Sequence, residues 1–570
     1  MNMIMVMKSS ASASVSVVVW LQVYALQVDD VIPDELWSLN FLTNLKVGIN
    51  LLSGPLSPSV SNLTAVKYLN FGINTLSGPL PKQLGMLPKL IVLGIGTNNF
   101  SGSVPPELGN LSNLEQLYIG TLRLSGPLPS ELGNLTKLKL LYMDSSGVSG
   151  EIPSSFANLR NLESLWAFDV ELKGRIPDFI GNWSKLQVLR FQGNSFDGPI
   201  PSSFSKLRNL TELRISDLAN GSSSSLAFLT NMKKLTYLEL RNNKISYSIP
   251  SDVNHYWIPQ YLDLSFNNIS GQIPGWLFGS TVLTHMFLGN NRLTGPLPAY
   301  KDENLVNIDV SYNYLSGSLP SWINRQNLQL LIFYVLYKKY ILLAPRNLVA
   351  NNFTLESSSR LGYLFWACLD KWLYWYADSS SAVNCGGPQI TSSNNIVYEM
   401  DNETLSPATY YVTDTNRWGI SNVGYFTGTN NPWSTISSQS QFTNTLDSKL
   451  FQSARVSASS LRYYGLGLEN GNYTVTLQFA EIADLGTTGR RSLGRRAFDI
   501  YVQGVNVEKD FDITRVADGV PRRAIQRKYT ARVSENYMEI HFFWAGKGTC
   551  CIPNDGSYGP SISAISAAPG

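Results

Sequence analysis

A glycine returns every 24 residues through the first part of this chain, at Gly54, Gly78, Gly102, Gly126, Gly150, Gly174 and Gly198. It reappears at Gly271, Gly295 and Gly317, with Tyr247 in the slot between. Around each glycine stands the frame L-x-x-L-x-L-x-x-N-x-L-x-G-x-[IL]-P, as in Leu114-Glu-Gln-Leu117-Tyr-Ile119 followed by Leu124-Ser-Gly126-Pro-Leu-Pro129. Chance does not hold one phase over about ten turns. A fixed period in this range means a coil of stacked turns, none of which can bury its own leucines without its neighbours.

The L-x-x-L-x-L segment reads as a short strand, leucines inward and x residues outward. Asn50, Asn74, Asn98, Asn194, Asn243, Asn267, Asn291 and Asn313 occupy the bend, where a buried carboxamide can satisfy the backbone of adjacent turns. Glycine and proline then shape the return path on the convex side. Stacked this way, the turns form a solenoid with a parallel β-sheet on its concave face. The residue between the last two leucines projects from that face once per turn. The column reads Asn70, Gly94, Tyr118, Tyr142, Trp166, Arg190, Arg214, Glu239, Asp263, Phe287 and Asp309. Two residues on, a second column holds Asp144, Phe168, Gln192 and Arg241.

An aromatic block followed by two arginines is what an interaction face presents. Tyr118, Tyr142, Asp144, Trp166, Phe168, Arg190 and Arg214 are therefore the candidate ligand-binding residues. The plainer alternative is that stacked aromatics only stabilise neighbouring strands. Three turns carry Leu122, Ser146 or Val170 where the bend asparagine belongs, and they coincide with the block.

Residues 1–28 contain Lys8, an apolar run over 15–23 and a small-x-small site at Val23-Tyr24-Ala25, the pattern of a secretory signal. The solenoid is expected over 29–355. Residues 331–346 break its pattern and read as an insertion, because removing them joins Leu328-Gln-Leu330 to Asn347-Leu348 and restores a last repeat. Residues 356–382 are an atypical linker, apolar but carrying Asp370 and Lys371. Sequons stand at Asn62, Asn99, Asn110, Asn134, Asn182, Asn209, Asn220, Asn268, Asn352, Asn402 and Asn472, in both halves of the chain, which favours the secretory pathway.

From Val383-Asn-Cys385-Gly-Gly-Pro388 the period changes from 24 to 2. Tyr473, Val475, Leu477 and Phe479 alternate with Thr474, Thr476 and Gln478, and the segments 498–502 and 538–542 repeat the alternation. Strands with turn signals and no helical stretch predict a β-sandwich over 383–567.

The L-x-G-x-[IL]-P ending resembles the plant-specific leucine-rich repeat of receptor-like kinases. The stretches 154–207 and 437–482 resemble one subfamily of them, in which a leucine-rich repeat ectodomain and a malectin-like domain precede a membrane span and a Ser/Thr kinase. The likeness covers most of 30–567, and the phrases NCGGP, YTVTLQFAEI and FDIYVQGVNVEKDFDI carry it in the sandwich. It implies a mostly β ectodomain: a leucine-rich repeat solenoid followed by a malectin-like β-sandwich. The malectin fold is known for binding glucose disaccharides in its animal form. Here the sugar-cradling aromatic positions fall on Val456 and on Ala483-Asp484. Trp418, Tyr425, Phe426, Tyr463 and Tyr464 offer a different carbohydrate platform, with the sandwich core as their other use.

The subfamily has a pair of cysteines near the linker, where this chain has only Cys368. In an oxidising compartment Cys385 and Cys368 can meet Cys550 and Cys551; four cysteines allow three pairings, and the sequence does not choose. No metal-ligand spacing involves His255, His285 or His541, and no cofactor fingerprint, nucleophile elbow or kinase loop set occurs. A net charge of +3 gives no bulk attraction to nucleic acid. The expected partners are a peptide or protein ligand, a co-receptor, and cell-wall carbohydrate, with a membrane reached only through a span beyond Gly570. The rival readings are a secreted decoy or wall-binding protein and a cell-wall glycosidase, which would need two acids flanking a cleft.

Overall fold

A strand of three residues can bury its leucines only by lying beside the next one. In the computed structural model, the segments Gln116–Tyr118, Leu140–Tyr142, Ser164–Trp166, Val188–Arg190 and Glu212–Arg214 do so, each paired in parallel with its neighbour. The residues described are 4–9, 16–251, 259–318, 320–324, 329–331, 351–354, 380–415, 417–426, 434–482, 496–520, 522–548 and 558–570. By its internal contacts the chain divides into two units between Leu238 and Glu239, inside the repeats.

In the first unit the bend asparagines hold the stack together. Asn98 donates to the carbonyls of Phe71 (3.1 Å) and Ile95 (2.9 Å) and accepts from the Leu76 N–H (3.1 Å), so one buried side chain ties two turns. The return path needs a left-handed residue, and Gly54, Gly78, Gly102 and Gly126 supply it at φ near +78°. Proline then opens a short 3-10 helix in most turns, such as Pro106–Asn110 and Ser130–Asn134. These helices pack so closely that a Cβ on Gly109 would lie 2.3 Å from the Glu131 carbonyl oxygen.

Ser16–Gln22, within the span read above as a signal, pairs in parallel with Asn44–Lys46. Leu26 and Val28 donate to Asn50, and Val31 bridges to Ser53, so these residues form a degenerate turn of the coil. Its signal is weak because Leu26 replaces the asparagine and Asp30 the glycine.

The second unit begins with the remaining turns. Tyr247, 65% exposed, takes the glycine slot at φ +74°. A non-glycine residue in that region costs roughly 1–3 kcal/mol. Tyr247→Gly is therefore expected to stabilise the repeats by about 1 kcal/mol, read as a rise in the urea midpoint, the smaller figure allowing for glycine's extra entropy in the unfolded chain. An unchanged or lower midpoint would contradict it. Gln329–Leu331 pairs with Asn307–Asp309, and Asn351 bonds the Leu315 N–H (2.9 Å) and the Val310 carbonyl (3.0 Å), taking the bend role. The inserted segment between them and the linker lie outside the described residues, apart from Leu331 itself and 380–382.

Two six-stranded sheets follow. The first runs in the order Ile390–Thr391, Val397–Asp401, Ser381–Cys385, Ala564–Pro569, Gly471–Phe479, Ile525–Val533. The second runs Ala408–Val412, Trp418–Val423, Ser460–Leu466, Tyr537–Phe543, Ala497–Val502, Val505–Asp512. The alternating residues Val475, Leu477, Phe479, Ile500, Ile540 and Phe542 meet in one core. The outer face of the second sheet is covered as well. Phe266, Asn290 and Tyr312, the positive-φ residues of three successive turns, reach Phe543, Arg462 and Tyr464. That is why the sandwich shares a unit with the last repeats.

Candidate functional site

On the first unit, Tyr118, Tyr142, Trp166, Arg190 and Arg214 stand opposite one another on consecutive strands. Tyr118 meets Tyr142 edge to face (centroids 5.1 Å, 80°), and Tyr142 stacks on Trp166 (4.2 Å, 9°). The Arg190 guanidinium lies 4.0 Å from the Trp166 ring centroid. Arg190 donates to both carboxylate oxygens of Glu212 (2.7 and 3.1 Å), and Glu212 also pairs with Arg214, which covers Tyr237 at 4.0 Å. Glu212 and Tyr237 complete the ladder and were not among the sequence candidates. Their signal was available: both precede the column residue by two on their own strands, so they share its face.

Burial alone would raise the Glu212 carboxyl, but Arg214 and Arg190 hold it below the usual carboxylate range. Two guanidiniums on one carboxylate leave the end of the ladder cationic. At its other end, burial and then the neighbouring Tyr142 raise the Tyr118 hydroxyl.

Asp144 and Phe168 do not lie open on this face: they are 1% and 0% exposed, and Gln192 is 0% exposed. In most other turns their column holds Gly48, Gly72, Gly96, Gly120, Gly289 or serine, because the slot is narrow. A Cβ on Gly96 would lie 2.9 Å from the Gly120 carbonyl oxygen, and Asp144 itself leans over Gly120. That run of glycine and serine marks the column as a packing slot. Buried there, the Asp144 carboxyl is pushed up to about 7, against the opposing pull of Arg190. Arg214 is also 5% exposed, so the accessible candidates are Tyr118, Tyr142, Trp166 and Arg190, all half-buried.

The C-terminal part of the column is closed. In the second unit Glu239, Asp263, Phe287 and Asp309 are at most 2% exposed. Arg241 is held by Glu239 (2.9 Å), Asp263 (3.1 Å) and the Trp544 carbonyl (3.1 Å) of the sandwich.

The carbohydrate platform is corrected too. Trp418 and Tyr463 belong to the sandwich core at 0% exposure, and the buried Tyr464 hydroxyl bonds that of Tyr312. Tyr425 is half-buried against His285 at 4.8 Å. Trp418, Tyr463 and Tyr464 lie on strands that have both faces covered, so no side of them is left to stack on a sugar, whereas Tyr425 and Phe426 follow the strand Trp418–Val423 and are half-buried.

Cys385 is a free, buried thiol, pushed well up by burial and by nearby Asp401, which removes it from the expected pairing. Cys368, Cys550 and Cys551 lie outside the described residues. Among the sequons, Asn62, Asn99, Asn110, Asn134, Asn182, Asn220, Asn268, Asn402 and Asn472 are exposed. Asn209 is half-buried, donating to Ser184 and accepting from Lys234, and the side chain of Asn352 lies outside the description. No group of metal-ligating side chains occurs among the described residues, and none of their helices is long and apolar enough to cross a membrane.

Family models described as "Malectin domain", "Leucine-rich repeat region" and "Leucine Rich Repeat" match residues 379–565, 118–288 and 304–325. The chain is thus a leucine-rich repeat protein that also carries a malectin domain. Its architecture matches that of plant LRR receptor-like serine/threonine-protein kinases. One probable member from Arabidopsis thaliana is 58% identical over 231 residues, covering 39% of this chain and 22% of the relative. Another from the same plant is 43% identical over 209 residues, 36% of this chain and 20% of the relative. The chain therefore spans about a fifth of the length of these curated relatives. Among solved structures, a TDR receptor superposes with a TM-score of 0.50 at 29% identity, over 57% of this chain and 54% of that one.

Proposed function

We propose that this chain is the extracellular ligand-recognition region of a plant receptor-like kinase, and that its ligand is a peptide or protein held against Tyr118, Tyr142, Trp166 and Arg190. The observation that carries this reading is the in-register ladder, an aromatic and cationic strip on the face where solenoids bind. The neighbours of Trp166 on both adjoining strands cover its ring, Tyr142 from one and Arg190 from the other. Ring edges and a guanidinium are therefore what the strip offers, which suits peptide groups better than the flat face of a sugar. A co-receptor or a wall carbohydrate, if bound, falls to the sandwich. Its role is recognition; signalling across a membrane belongs to the longer proteins it resembles.

The test is binding of secreted plant peptides and wall oligosaccharides to the full chain, followed by Trp166→Ala. Truncating a central aromatic anchor is expected to weaken peptide binding by about 2 kcal/mol or more, roughly thirtyfold. Undiminished affinity after that substitution, or turnover of a labelled oligosaccharide, would favour the structural or the glycosidase reading instead.

A further inference from the structure

Both described histidines stand where the last repeats meet the sandwich. His541, on Tyr537–Phe543, lies between the rings of Phe266 (5.7 Å, 9°) and Tyr501 (5.5 Å, 27°). The hydroxyl of Ser460 is 2.9 Å from its Nε2. On the paired strand its register partner is Arg462, which forms an ion pair with Glu539 and reaches across to Asn290 and the ring of Tyr312. His285, on His285–Phe287, is ringed by Tyr261, Phe287 and the sandwich's Tyr425, with Asn307 opposite it on the next strand. Thr284 gives its proton to the Gln260 carbonyl, so its oxygen accepts from His285 Nδ1 at 2.8 Å and leaves Nε2 bare. Neither imidazole has a carboxylate partner of its own among the described contacts. Among the described residues the cation facing His541 is Arg462, which repels a second positive charge there.

We propose that the junction between the last repeats and the malectin domain is an acid-released latch, closed only while His285 and His541 are both neutral. Separating the two faces returns both imidazoles to water, where they take up protons in the ordinary way. Docked, burial holds His285 down to about 4, and burial with Arg462 holds His541 well below the usual histidine range. The docked state is therefore at full strength above pH 6.5 and loses ground as pH falls below it. Asp309 works the other way: burial pushes its carboxyl up to about 6, partly opposed by Ser311 and Arg462 and reinforced by Asp263. Its protonation favours docking below pH 6. With two imidazoles gaining protons on release and Asp309 losing one, the docking equilibrium should thus fall about tenfold per pH unit from about 6.5 towards 4.5.

Hydroxyl-radical footprinting of the full chain from pH 7.5 to 4.5 tests this. Tyr464 and Phe543, buried at the junction, should become reactive in acid, while Phe479 and Phe498 in the sandwich core stay protected. The double variant His285→Phe with His541→Phe should stay closed throughout. Simultaneous exposure of Phe479 and Phe498 would mean general unfolding and overturn the latch. So would an unchanged footprint in the wild type, or opening of the double variant at the wild-type pH. If the double variant does not fold, the wild-type imidazole carbon resonances decide. The latch requires them to titrate together with exposure of Phe543, and independent titration near 6.5 in the closed form would overturn it.

Discussion

Replacing Asp401 by asparagine is expected to cost the sandwich about 3–5 kcal/mol, because it strands a buried guanidinium. Asp401 and Arg455 are 1% and 0% exposed. Arg455 donates to both carboxylate oxygens of Asp401, with its Nε at 3.2 Å, and reaches the Glu403 carbonyl at 2.8 Å. The Tyr463 hydroxyl (2.6 Å) and the Gly386 N–H (3.2 Å) also donate to Asp401, both to Oδ2. Geometry this complete repays the desolvation of two ions; removing one of them leaves the other uncompensated. The pair also fastens the Cys385-Gly386-Gly387 turn to the strand Val397–Asp401. Urea unfolding monitored by tyrosine and tryptophan emission reads the loss. The double replacement Asp401→Leu with Arg455→Met should cost clearly less than the single one. A single-variant loss under about 1 kcal/mol would show that the guanidinium finds water or another acceptor.

Asn98→Leu is the second large effect, on the order of 3 kcal/mol. The leucine fills the volume, but the Leu76 N–H and the carbonyls of Phe71 and Ile95 lose their side-chain partner within the stack. Each polar group left buried and unpaired costs roughly 1–3 kcal/mol. Because stacked turns depend on their neighbours, the loss should spread as lowered amide protection in the turns on either side. Protection lost at residue 98 alone would contradict that coupling. By contrast Ser146→Ala, in the turn that lacks the asparagine, should cost little: its buried hydroxyl has no hydrogen-bond partner among the described residues, so no bond is there to lose.

Much of this molecule was legible because the repeat names its own geometry. Gly126 at φ +79° and Asn98 with bonds into two turns are each required by the frame, and either can be recognised without coordinates. The order Tyr118, Tyr142, Trp166, Arg190 along the face followed from the period alone. The parity of Val475, Leu477 and Phe479 likewise announced a sandwich strand.

Exposure was not legible in the same way. Asp144 and Phe168 share the concave side with the ladder, yet a slot cut for glycine and serine buries them. Glu212 shares its own strand with Arg214, which the sequence shows, but its second partner Arg190 comes from the adjoining strand, a relation across turns that no single repeat displays. Tyr464 and His541 alternate like solvent-facing residues, and only the packing of Phe266 and Tyr312 against that sheet hides them.

The sequence by itself determined the coil, its register, the sandwich that follows it and the family they resemble, since periodicity is a local property repeated. Only the tertiary structure decided which faces remain open to a partner. Burial is set by whatever chain arrives from far away, and here Arg462 and Trp544 reach Asn290 and Arg241 from the other end of the molecule.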